Sequence, residues 1–99
     1  SLPNGGASNY NELRFDDTGG KERVSLQAER DLVEIIKNDA QMDIGNRGHV
    51  TAKTAYLIEV GGASLSIKPD SVVLKLGAAQ LSFDASGEVV LNGQIIRIG

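Results

Sequence analysis

Apolar and polar positions alternate along much of the chain. Leu13 and Phe15 alternate with polar and charged neighbours, Asp16-Asp17-Thr18-Gly19-Gly20-Lys21 carries turn chemistry, and Val24, Leu26 and Ala28 alternate again. That pattern predicts a strand, a turn and a strand. In Glu29–Lys37 the apolar residues at 32, 35 and 36 fit a helical period, with partial alternation; the pattern of the whole chain decides for strand. From Tyr56 onward the alternation gives one inward set. It runs Tyr56, Ile58, Val60, then Leu65, Ile67, then Val72, Leu74, Leu76, then Leu81, Phe83, then Val89, Leu91, and last Ile96, Ile98. Leu13, Phe15, Val24 and Leu26 extend the predicted core into the first half, while Lys75, Ser82, Glu88 and Arg97 fall on the solvent side.

A repeat underlies this alternation. Gly45, Gly61, Gly77 and Gly93 are spaced sixteen residues apart. Three of them follow apolar–charged–apolar triplets: Met42-Asp43-Ile44, Ile58-Glu59-Val60 and Leu74-Lys75-Leu76. The fourth follows Val89-Val90-Leu91-Asn92, one residue longer. The segments after two of the glycines also match, with Leu65-Ser-Ile67 against Leu81-Ser-Phe83, and Ile96-Arg-Ile98 makes a third copy after a one-residue slip. Such self-similarity marks a repeat architecture. Each repeat reads as two short strands with corners, the glycine lying where the backbone turns sharply or takes positive φ. Pro69-Asp70-Ser71 and Asp84-Ala85-Ser86-Gly87 supply other corners.

Composition agrees. Val, Ile and Leu number 26 against two Phe and two Tyr, and β-branched side chains favour pleated surfaces. Residues 1–53 hold sixteen charges and ten of the aliphatics; residues 54–99 hold seven and sixteen. We therefore expect a linker or cloning remnant over 1–9, an opening segment of short strands and turns over 10–53, and a regular repeat over 54–99 ending in a C-terminal tip. The absence of cysteine excludes disulfides and thiolate chemistry. No apolar run approaches the ~18 residues of a membrane span, and the net charge of −3 argues against nucleic acid.

A strand with one apolar face must cover that face. A 99-residue monomer buries only about 64% of its unfolded surface, and single-chain solenoids usually need periods of 20 or more. The better solution is several copies around one axis, each donating short strands to a shared prism, which also removes lateral sheet edges. Three-fold is the simplest prism, although the residues alone do not fix that number.

The succession Asn11-Glu12-Leu13-Arg14-Phe15-Asp16-Asp17, Gly20-Lys21-Glu22, Gln27–Leu32 and Val33–Asp39 resembles the segment that opens the C-terminal β-helical spike of VgrG proteins. These are the type VI secretion spikes related to the needle of contractile phage tails. The resemblance covers about residues 9–99. It implies an all-β, intertwined triple-stranded β-helix (a β-prism), homotrimeric, assembled in the bacterial cytoplasm and delivered through the type VI apparatus. It also implies a PAAR-repeat protein on the blunt C-terminal end, a secreted effector as cargo and transient contact with a target-cell membrane. Gln41–Lys53 departs from the family in being short and irregular, so the shaft is expected to be brief or bulged there.

Other chemistry gains little. His49 could meet its copies on a shared axis and bind a metal, but His49-Val50-Thr51 lacks a paired histidine and reads as a solvent-facing loop; no metal or cofactor is expected. Gly19-Gly20-Lys21 lacks phosphate-loop spacing. Asp16, Asp17, Asp31, Glu34, Asp84 and Glu88 read as surface charges, since a narrow filled prism offers no dry cleft to tune them. Arg14, Arg30, Lys21 and Lys53 make no dense basic run. The one candidate site is the last strand, Ile95-Ile96-Arg97-Ile98 with Gly99, whose open end suits a partner strand. The expected function is a non-enzymatic, membrane-puncturing spike. The alternative is a phage needle, fibre or adhesin stalk binding surface glycan, disfavoured by the scarcity of exposed aromatics; a glycan-cleaving β-helix comes third.

Overall fold

The computed structural model describes residues 10–99. The chain divides into two units, Ser1–Asp43 and Ile44–Gly99, and among the described residues there is no helix.

In the first unit, β1 (Glu12–Asp16) and β2 (Arg23–Gln27) form an antiparallel hairpin. Its register sets Leu13 opposite Leu26 and Phe15 opposite Val24, so the four predicted core residues share one face. Asp16 Oδ1 accepts hydrogen bonds from the Thr18 main-chain N–H (3.0 Å) and hydroxyl (2.7 Å). Lys21 N–H donates to Thr18 O, and Gly20 takes φ 79° in the turn. At the open end, Glu29 N–H donates to Asn11 Oδ1 at 2.7 Å.

The second unit is a five-stranded antiparallel meander, β3 (Tyr56–Val60), β4 (Ala63–Lys68), β5 (Ser71–Leu76), β6 (Ala79–Asp84) and β7 (Val89–Asn92), each strand paired to the next. This explains the sixteen-residue period. Strands β4, β5 and β6 are six residues long, and two-residue turns join them, so the chain takes eight residues per strand and sixteen per up-and-down pair. Gly61 (φ 54°) and Gly77 (φ 55°) occupy the first central position of their turns, followed by residues without positive φ, the pattern of a type II′ hairpin. Gly45 and Gly93 do not take positive φ. Gly45 lies in a bend, and Gly93 follows directly on the end of β7.

Two predicted strands do not form within the chain. Glu29–Lys37 and Ile95–Ile98 carry no strand structure. A strand exists only against a paired neighbour, and these segments find none among the described residues. Among the described residues, none from 29 through 55 takes part in a main-chain to main-chain hydrogen bond with another.

Candidate association surface

The register of β3–β7 sorts the inward set into rows, since directly opposed residues of antiparallel strands point to one face. Row one is Tyr56, Ile67, Val72, Phe83 and Val89; row two is Ile58, Leu65, Leu74, Leu81 and Leu91; row three is Val60, Ala63, Leu76 and Ala79. The twelve larger members are all in the inward set; Ala63 and Ala79 join them by register. The opposite face carries Leu57, Ser66, Val73, Ser82 and Val90 across its middle, flanked by Glu59, Ser64, Lys75, Gln80 and Asn92. One face is therefore almost wholly apolar and the other mixed.

Among the described residues of the second unit nothing covers the apolar face. Among the described residues no hydrophobic side chain is buried, and Leu74, in the middle of the sheet, is 52% exposed. The chain exposes 9456 Å², whereas size scaling gives about 5,400 Å² for a compact monomer of this mass and about 6,500 Å² for two separately folded halves. Nine of the twelve larger side chains are exposed and Leu65, Val72 and Leu81 are half-buried; covering all twelve, at about 1 kcal/mol each, is worth on the order of 10 kcal/mol per chain. That is comparable with the whole stability of a domain.

At the far end of the sheet, Asp84 Oδ1 accepts hydrogen bonds from Ser86 N–H, the Ser86 hydroxyl and Glu88 N–H, while Gly87 N–H donates to Asp84 O. The Ser86 hydroxyl, then the Glu88 amide, hold the Asp84 carboxyl below its ordinary pKa. The Thr18 hydroxyl and amide do the same for Asp16. Both carboxylates thus act as turn clamps.

The other sequence candidates are placed separately. His49 lies in the stretch without strands, its Nε2 3.2 Å from the Thr51 hydroxyl. Arg30 and Asp31 form an exposed 3.8 Å ion pair, the kind that adds little stability. A hollow of about 440 Å³ opens between residues 50–55 and the Tyr56–Ile67 end of the sheet, with Lys68 as the one charged side chain lining it; no acid–base pair converges there. Ile95, Ile96, Arg97, Ile98 and Gly99 follow the last strand, with Ile98 92% exposed. Sequence reasoning missed Ala63 and Ala79 as members of the surface, because alternation scores large residues and passes over small ones.

Comparison with known proteins agrees with an association surface. A family described as the bacteriophage T4 gp5 C-terminal trimerisation domain matches residues 1–72. The chain is 38% identical over 53 residues to type VI secretion system spike protein VgrG4b of Pseudomonas aeruginosa, covering 54% of this chain and 7% of that protein. It is 30% identical over 73 residues to actin cross-linking toxin VgrG1 of Vibrio cholerae, covering 74% of this chain and 7% of that protein. Spike protein VgrG5 of P. aeruginosa is 38% identical over 53 residues, 54% of this chain and 6% of its own length. The chain thus spans a small fraction of these relatives, and no solved structure matches it. With the match across most of its length, the chain belongs to the bacteriophage T4 gp5 C-terminal trimerisation domain family, as a C-terminal spike domain of the VgrG type.

Proposed function

We propose that the chain is the trimerising, load-bearing part of a type VI secretion spike. Three copies bring their apolar sheet faces together to form a filled prism, and residues 29–55 supply strands whose hydrogen-bond partners lie on neighbouring copies. The function is mechanical: continuous strand pairing without long loops passes axial force from a contracting sheath to the membrane. The segment Ile95–Gly99 is the seat of a PAAR-repeat tip protein, and a secreted effector travels with the assembly through the type VI apparatus. No side chain is assigned a catalytic role.

The observation that carries this reading is the set of three apolar rows left open to water in the single chain. A face of that size on a soluble protein marks an interaction site. The test is mass in solution by light scattering, with an expected value about three times the 10.5 kDa chain; a folded, soluble species at the chain mass would overturn the reading. Deleting Ile95–Gly99 should leave the trimer and abolish capture of a PAAR-repeat protein. Retained capture would remove that segment's role.

A further inference from the structure

The last rung of the ladder ends in a reactive dipeptide. Asn92 closes β7, and Gly93 follows it outside any strand. Asn11, Asn38 and Asn46 precede Glu12, Asp39 and Arg47, so among the described asparagines Asn92 alone is followed by glycine. We infer that Asn92-Gly93 is a site of spontaneous main-chain rearrangement, where the Gly93 amide nitrogen attacks the Asn92 carboxamide and converts the link to aspartate and isoaspartate. This chemistry belongs to the single chain and does not depend on the trimeric reading above.

Strand pairing aims the nucleophile outward. Asp84 N–H donates to Glu88 O at 3.1 Å, which makes 84 and 88 a hydrogen-bonded pair. The β6–β7 register runs on from that pair to Gln80 opposite Asn92. Bonded and non-bonded pairs alternate along an antiparallel ladder, so Gln80 and Asn92 exchange main-chain hydrogen bonds and the Asn92 carbonyl points at β6. Across a trans peptide the next N–H points the opposite way. β7 is the end strand of its sheet, and the Gly93 N–H therefore faces the open edge. Closing a ring onto the side chain needs a turn about the Cα–C bond of Asn92. In the middle of a strand that turn would unpair every residue beyond it. Here it releases the hydrogen bond at Asn92 O and carries along only residues 93–99, none of them in a strand. The Asn92 side chain is exposed, and glycine puts no Cβ in the way of the ring. Asp39 and Arg47 do place side chains there, which slows the same attack at Asn38 and Asn46.

The step needs no cofactor. Hydroxide takes the Gly93 amide proton, the nitrogen bonds to Asn92 Cγ, and the Cγ–Nδ2 bond breaks, ammonia leaving with a proton from water. Water then opens the cyclic imide. Attack at the Cγ carbonyl gives aspartate. Attack at the main-chain carbonyl leaves the polypeptide running through Cβ and Cγ, one methylene longer, with the former main-chain carbonyl as a free carboxylate. Either product adds one negative charge to a chain of net −3, a covalent change of charge at the end of the sheet. The isoaspartyl form also moves the acceptor out of line with Gln80 N–H, so the joint between the ladder and Ile95–Gly99 changes with the age of the molecule.

Peptide mapping of the intact chain, aged in mildly alkaline buffer at body temperature, tests this. Trypsin releases residues 76–97 as one peptide, in which Asn92 is the one asparagine. That peptide should gain the mass that replaces an amide NH2 by OH, become a substrate for an isoaspartate-specific methyltransferase, and convert faster as pH rises. The peptide of residues 38–47, holding Asn38 and Asn46, should lag well behind. Asn4-Gly5, outside the described residues, falls in a different peptide. In Gly93→Ala the added carbon meets Ile95 O at 3.7 Å and Ile96 Cγ1 at 3.9 Å, ordinary contacts, so the fold should survive while most of the conversion is lost. Asn92→Gln should lose it too, and keeps the test standing if the alanine variant misfolds. Conversion of the folded chain at a small fraction of its rate in urea would overturn the inference. So would equal conversion of the 38–47 peptide, or an undiminished rate in either variant.

Discussion

Residues 56–92 close their own main-chain hydrogen bonds through five consecutive strands, whereas residues 29–55 make no main-chain pair with any other described residue. Both regions carry exposed aliphatic side chains, Leu74 and Leu91 in one and Leu32, Ile36 and Ile44 in the other. In the ladder, local pairing satisfies the backbone and association has only to cover one face. In the unpaired stretch, association must satisfy the backbone as well. The first region can hold its shape on its own main-chain hydrogen bonds; on the proposed reading the second takes its strands from partners.

The largest expected break in this comparison is Leu74→Lys. It places a charge in the central row, costing several kcal/mol per chain if buried without a partner (~3 or more), and should leave light scattering with no trimer. Next is Gly77→Val. A β-branched residue at φ 55° costs about 1–3 kcal/mol, so melting should fall sharply. Gly45→Ala, at ordinary φ with nothing within 4 Å of the added carbon, should shift stability by less than about 0.5 kcal/mol. An equal drop for both would sink the distinction between turn glycines and the rest of the grid.

Hydrogen exchange sharpens the contrast itself. In the trimer, amides of both regions should be protected; in the Leu74→Lys variant those of residues 29–44 should exchange at free-chain rates while part of the β4–β6 protection survives. Uniform loss would show that the ladder, too, depends on partners. The smallest effect concerns acid. Asp16 and Asp84 have folded pKa values below the ordinary 3.8, so their contribution is present above that value and is lost as pH falls through the folded pKa. Melting temperature should dip below about pH 3.8, and Asp84→Ala should remove the part of that dip belonging to the β6–β7 loop. An unchanged acid profile in the variant would dismiss the clamp.

Much of the ladder was legible because its determinants are local. Alternation at Val72, Leu74 and Leu76 names a strand and its face, and Gly77 names the turn. The sixteen-residue spacing is the arithmetic of six-residue strands and two-residue turns. Glu29–Lys37 and Ile95–Ile98 read as strands but carry none in the single chain, because a strand needs a neighbour and alternation does not say where that neighbour is. The rows of the association surface were hidden for a related reason. Phe83 and Ala79 are unremarkable in sequence; only the register, once the two-residue turns are known, sets Phe83 in line with Tyr56 and Ala79 in line with Ala63.

The two-residue turns also make the ladder modular. Duplicating sixteen residues would add one up-and-down pair, advance the stack by about 9.5 Å, and return the polypeptide to the same corner chemistry with every side chain on its original face. The length of such a ladder is therefore open to evolution by simple tandem copying.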